Sequence, residues 1–108
     1  MGITKTDNFN ETQNRMANLA KAIGHPARIA ILEFLIKKNT CICGDLVEEL
    51  PLSQATVSQH LKALKEVGLI KGEIEGTSVC YCIDEKVWNE TQKTFNKMFE
   101  SFKGGNCC

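Results

Sequence analysis

The 108-residue chain has no apolar run long enough to span a bilayer, and its first residues are polar, so neither membrane anchor nor secretion signal is expected. Net charge is also missing: 13 Lys and Arg balance 13 Asp and Glu, giving +0. Affinity for a polyanion would therefore have to come from a local basic patch. There is no Gly-rich phosphate loop, no nucleophile set beside a base and no acid pair placed for catalysis, so an enzyme is not expected. Histidine is scarce. His25 and His60 are the only two, the first just before Pro26 at a helix start and the second beside a core stripe, and both read as structural. Internal repeats and low-complexity segments are absent too. What remains is a single small domain with a modest core unless it dimerises.

Cysteine is plentiful, with six in the chain. That number in a short sequence can mean a secreted disulfide scaffold. With no secretion signal and a normal apolar fraction of 43%, reduced thiols in the cytoplasm are the expectation instead.

The most informative stretch is 45–70. Two short helical patterns, 45–50 and the one after Ser53, are separated by Pro51-Leu52-Ser53. Val57, Leu61 and Leu64 repeat at i, i+4 and i+7, the stripe of a helix packed on a core, and Ser53 is a good N-cap. The other face offers Gln54, Ala55, Thr56, Ser58, Gln59 and Lys62. Side chains that are short, neutral and rich in donors and acceptors suit base edges in a major groove. This is a helix-turn-helix pattern, whereas a merely solvated helix would carry denser charge. Ser53, Gln54, Thr56, Ser58, Gln59, Lys62 and Lys65 are the candidate contacts to double-stranded DNA. Lys62, Lys65 and Lys71 supply the basic patch, opposed only by Glu66 between Ser53 and Gly72.

Around this unit the chain predicts a frayed end at 1–8 and a helix from about Phe9 to Ile23 with Met16, Leu19, Ala20 and Ile23 on one face. A second helix begins at Pro26 with Ile31, Leu32, Leu35 and Ile36 inward. After a Gly68 cap, 69–74 and 79–83 read as a β-hairpin. A last helix, about Glu85 to Lys103, carries Trp88, Thr91, Phe95, Met98, Phe99 and Phe102 along one stripe. Residues 104–108 form a flexible tail. The expected fold is a winged helix-turn-helix: mainly α with a small β wing, one domain over 1–108.

The segments LAKAIGHPARIAILEFL (19–35), CICGDLVEEL (41–50), SQATVSQHLKALKEVGLI (53–70) and the wing ending VCYCI resemble the ArsR/SmtB family of metal-responsive repressors in content, order and spacing. The resemblance implies operator binding, a homodimer joined through the first and last helices, and release of DNA when an inducer binds. Two recognition helices on a twofold would read half-sites about one helical turn apart.

The resemblance also frames the cysteines. A winged helix commonly has a short first strand beside the second strand of the hairpin, which would place 40–43 against 79–83. Ile42, Val79, Tyr81 and Ile83 then face the core, and alternation sends Cys41, Cys43, Cys80 and Cys82 to the other face. Cross-strand Cβ atoms stand about 4.5–5.5 Å apart, so these thiols can converge. Zinc sites of the family draw on histidine and carboxylate in the last helix, yet 85–108 lack histidine. Its cadmium and lead sites use an N-terminal arm, yet 1–24 lack both Cys and His. A cysteine-only site fits As(III) or Sb(III), while Zn, Cd or no metal stand as alternatives; no resident cofactor is expected.

Arsenic-sensing members carry C-x-C-x-x-C. Here Cys41 and Cys43 match the first two positions, Gly44 looks inserted and Val47 stands at the third. The third sulfur then comes from Cys80 or Cys82, or from Cys107 or Cys108 in the tail. Glu73 and Glu75 also depart from the basic wing of many relatives, which puts a wing–phosphate contact in doubt. A repressor sensing thiol oxidation or persulfide, and a module that does not bind DNA, are the other readings.

Overall fold

The computed structural model describes residues 8–44, 50–74 and 79–105. Four helices, α1 (Glu11–Ile23), α2 (Pro26–Lys38), α3 (Gln54–Glu66) and α4 (Glu85–Ser101), surround a three-stranded antiparallel sheet of β1 (Ile42–Cys43), β2 (Ile70–Glu73) and β3 (Cys80–Ile83) in the order β1-β3-β2. The first helix of the expected helix-turn-helix pair falls mostly on 45–49, and the wing tip on 75–78; both lie outside the described residues, as do Cys107 and Cys108.

Each helix begins where its cap dictates. Asn10 caps α1 in a reciprocal capping box with Gln13, so the helix starts two residues later than the apolar pattern predicted. His25 caps α2 ahead of Pro26, its Nδ1 accepting from the Ala27 N–H over 3.0 Å. Ser53 caps α3, as expected, by accepting from Thr56 N–H. Asp84 does the same for α4 toward Val87. Helix α3 ends at the left-handed Gly68 (φ 87°), and Leu69 then enters the core.

One core joins these elements: Leu19 from α1, Ile31, Leu32 and Leu35 from α2, Val57, Leu61 and Leu64 from α3, and Leu69, Ile70, Ile74 and Tyr81 from the hairpin. Each fully buried aliphatic side chain contributes about 1.5–3 kcal/mol relative to exposure. Tyr81 fills the centre of the sheet, opposite Ile42 on one side and Gly72 on the other. Gly72 takes φ 115°, and a Cβ there would collide with the backbone of Cys80 and Tyr81, so only glycine fits.

Two expected core positions are corrected. Ala20 is exposed and Ala22 is buried in its place, on the side where its carbonyl accepts from Arg28 of α2. Ile36, expected inward, is 51% exposed and faces an open hollow that it lines with Cys41 and Cys82. The last helix stops at Ser101 with Phe102 as its cap, and no residue of α4 is fully buried. Trp88 and Phe95 pack against the core, while Met98, Phe99 and Phe102 are 48%, 65% and 80% exposed.

Candidate nucleic-acid interface and cysteine array

Helix α3 divides as its sequence predicts. Val57, His60, Leu61 and Leu64 are buried, whereas Gln54, Ala55, Gln59, Lys62 and Lys65 are exposed and Thr56 and Ser58 half-exposed. The exposed face begins at the N-terminus of the helix, where free N–H groups favour an anion. Ser53 and Thr56 are partly engaged already: their hydroxyls lie 2.9 Å apart, and Ser53 Oγ accepts from the Thr56 backbone over 3.3 Å. Lys62 stands out as a cation, while Lys65 reaches Glu73 of β2 at 3.9 Å. That exposed pair is weak and would yield readily to a phosphate.

Lys71 lies opposite Cys82 in the sheet and lines a cavity with Cys41 and Cys82. Lys62 and Lys65 line a separate hollow with Glu66, Glu73 and Ile74. Alternation puts Lys71 and Glu73 on one face of β2, and Glu73 is the residue that Lys65 reaches.

Two residues that sequence reasoning passed over or undervalued tie α3 to the rest of the fold. Arg28 of α2 donates from Nε to His60 Nδ1 over 3.0 Å and from Nη1 to the Ala22 carbonyl over 3.0 Å. His60 was expected to be structural, and it is a buried acceptor whose ring centre lies 4.5 Å from that of His25, the two rings tilted by 47°. Its pKa is lowered, first by burial and then by the charges of His25 and Arg28. No periodic signal marks Arg28. Its role depends on a partner 32 residues away.

The strand cysteines fall where alternation puts them. Cys43 pairs with Cys80 and Ile42 with Tyr81, so continuing the register sets Cys41 against Cys82. Cys41 is joined to Cys82 and Cys43 to Cys80, with Cα atoms 4.2 and 4.0 Å apart. The four cysteines meet as two cross-strand pairs, because direct pairing leaves each sulfur nearest its partner across the strand. A Gly44 N–H to Val79 carbonyl bond of 2.9 Å extends the ladder beyond Cys43. Gly44 itself takes φ 108°, a left-handed turn where the chain leaves β1. Among the described residues no three His, Cys, Asp or Glu side chains form a ready ion site; the sulfurs meet in twos.

Comparison with known proteins places this arrangement. The family model described as "Bacterial regulatory protein, arsR family" matches residues 25–71, from the cap of α2 to the start of the wing. The HTH-type transcriptional regulator MJ1325 of Methanocaldococcus jannaschii is 37% identical over 79 residues, covering 71% of this chain and 88% of that protein. The chain belongs to the ArsR/SmtB family. The transcriptional repressor SdpR of Bacillus subtilis is 32% identical over 76 residues, 70% of this chain and 83% of its own. An ArsR-like transcriptional regulator from Rhodococcus sp. RHA1 superposes with a TM-score of 0.68 at 23% identity, covering 85% of this chain and 86% of that one, which shows the shared fold. This family member is accordingly a DNA-binding transcriptional regulator and not an enzyme. No helix among the described residues is long and apolar enough to cross a membrane.

Proposed function

We propose that this ArsR/SmtB-family regulator is a homodimeric cytoplasmic repressor that leaves its operator when As(III) or Sb(III) is taken up by the strand cysteines. The observation that carries the reading is the gathering of Cys41, Cys43, Cys80 and Cys82 on one face of the β1–β3 pair, at the entrance to the helix-turn-helix. The donor set is all sulfur, and soft thiolates select soft ions. In the reduced protein the four thiols are free to exchange partners, and three of them can serve one ion. Gathering three sulfurs onto one ion would shift β1 against β3 and with it Gly44, where the chain leaves β1. Because a ligand acts only through its different affinity for two states, the ion must bind the DNA-incompetent state more tightly. The tail cysteines Cys107 and Cys108 are the alternative source of a third sulfur.

The dimer draws support from the apolar stripe of α4, where Met98, Phe99 and Phe102 stand exposed in the single protomer, and from α1 packed beside it. Two α3 helices would then be presented on one side of a twofold. Operator contact falls to Gln54, Ser58, Gln59 and Lys62, with Lys65 released from Glu73, and with Ser53 and Thr56 toward the backbone.

Anaerobic titration of the reduced protein with arsenite tests the reading. An arsenic–thiolate ultraviolet band that saturates at one ion per protomer, with loss of operator binding, is the expected result. Cys41→Ser and Cys43→Ser proteins should bind operator yet remain bound when arsenite is added. Release of either variant at the wild-type concentration would overturn the assignment.

A second reading is favoured by one observation, the joining of Cys41 to Cys82 and Cys43 to Cys80. Oxidation of each thiol pair gives one disulfide, two protons and two electrons, and a peroxide or a persulfide would accept those electrons. If mild oxidation alone releases DNA, with both disulfides found by mass spectrometry, the redox reading displaces the metal one.

A further inference from the structure

The two histidines of the chain meet at one point, and both act there as acceptors. His25, the cap of α2, takes the Ala27 N–H on its Nδ1, and His60 of α3 takes the Arg28 Nε–H on its own. A proton on either Nδ1 would turn that acceptor into a donor and end the bond. His60 is the more tightly committed of the two. It is 8% exposed, shares its buried helix face with Val57, Leu61 and Leu64, and meets a guanidinium that does not give up its charge.

The surroundings offer a proton on His60 nothing to pair with. Helices α1 and α2 and strand β2 pack on α3. Burial, and then the charges of His25 and Arg28, oppose protonation of the ring. The remaining charged side chains of α2 and α1 (Glu33, Lys37 and Lys38; Glu11, Arg15 and Lys21) are exposed. On β2, Glu73 reaches Lys65, and Lys71 lines the hollow beside Cys41. Lys62, Lys65 and Glu66 of α3 itself are exposed. Among the described residues no carboxylate acts on the ring.

Resting on the assignment of α3 as the helix that reads DNA, we infer that Arg28 and His60 are positioning residues for operator binding and that acid releases the operator through them. With His60 neutral, the Arg28 bridge holds α3 in the orientation the operator requires. A proton on its Nδ1 sets one N–H against another and one cation against a second. Arg28 is tied to the Ala22 carbonyl at the end of α1, and the ring is enclosed by the core, so neither group can withdraw alone. Relief comes from turning α3 or from freeing Arg28, and both loosen the hold on the helix. Gln59 precedes His60 in the chain and is exposed, so a turn that relieves the ring moves a candidate base contact. The proton thus binds the DNA-incompetent state more tightly than the competent one. The direction is distinctive, because falling pH adds positive charge and ordinarily strengthens the hold on phosphates.

The reduced full chain is titrated at fixed salt against two duplexes, one carrying an operator selected from random sequence and one unrelated. The series runs from about pH 7.5 to about pH 5, above the carboxylate range. Operator affinity should fall below the pH at which a free histidine titrates, by up to about tenfold per pH unit for each protomer engaged. The unrelated duplex should bind equally well or better as pH falls. His60→Asn, which can offer an acceptor to Arg28 but takes no proton, should remove the fall. His25→Asn, which keeps a capping side chain, should retain the fall and move it to higher pH, since one opposing charge is gone. Proton NMR of the wild-type chain supplies a readout that needs no variant. Operator should lower the His60 pKa by linkage, whereas mere nearness to phosphates would raise it. A fall that persists in His60→Asn, a His60 pKa raised by operator, or helix content lost in step with binding would each overturn the inference. If Gln54, Ser58 and Gln59 can all be changed to Ala without loss of operator affinity at pH 7.5, the reading-helix assignment fails and takes this inference with it. Where that loss is present and wild-type binding does not weaken with acid, this inference alone fails.

Discussion

Arg28 on α2 donates its Nε–H to Nδ1 of His60 on α3 across 3.0 Å, fixing the helix that carries the candidate base contacts to the helix before it. The bond requires His60 to be neutral with its proton on Nε2, since a protonated ring would turn an N–H toward the guanidinium. The Arg28 bond to the Ala22 carbonyl extends the same link to the end of α1. The orientation of α3 is therefore set by a polar bridge as well as by Val57, Leu61 and Leu64.

A pH dependence follows. Burial holds the folded pKa of His60 below that of a free histidine, so as pH falls below about 6.5 the unfolded state takes up the proton first. Stability should decline through that window and level off below the lowered folded pKa. Urea midpoints at pH 7.5 and 5.5 should show the decline in wild-type protein and less of it in His60→Gln. Arg28→Ala should cost about 1–3 kcal/mol, because it leaves a buried acceptor without its donor. An Arg28→Ala midpoint equal to wild type would remove the bridge from the account.

Changes on the exposed face of α3 should separate sequence reading from charge. Gln59→Ala or Ser58→Ala should weaken specific operator binding by about 1–3 kcal/mol if the lost contact is a good base pairing. Lys62→Ala should weaken all DNA alike and lower the salt dependence by about one counterion. Anisotropy titrations at several salt concentrations distinguish the two. If Gln54, Ser58 and Gln59 can all be replaced without altering operator preference, the interface lies elsewhere.

The third sulfur for arsenite can be located by subtraction. A chain ending at Gly105, lacking Cys107 and Cys108, should still bind one arsenite through three sulfurs. The Cys80→Ser, Cys82→Ser variant should bind DNA but respond weakly or not at all. X-ray absorption counts the As–S bonds in each. Three in the strand variant and two in the shortened chain would transfer the role to the tail.

Gly72→Ala tests the sheet that holds the cysteines. At φ 115°, with the backbone of Cys80 and Tyr81 against it, a side chain forces the two strands apart. A loss of about 1–3 kcal/mol is expected by chemical denaturation. Little change in stability would mean that β2 can shift relative to β3 without cost.

The local pattern of residues determined a great deal by itself. Ser53 and the Val57, Leu61, Leu64 stripe marked the cap and buried face of α3, because capping and 3.6-residue periodicity act within one helix. The spacing Cys41-x-Cys43 and Cys80-x-Cys82 put each pair on one strand face, since a strand alternates every residue. Even the cross-strand meeting of the four was legible, but only once the fold had supplied a neighbour for β1. Tertiary structure alone decided the rest. It set the cysteines in twos and opened a cavity beside one row only. It also brought Arg28 to His60, and exchanged Ala20 for Ala22 at the core. Each of these depends on how separate elements are registered and oriented against one another, which long-range packing fixes and local spacing does not encode.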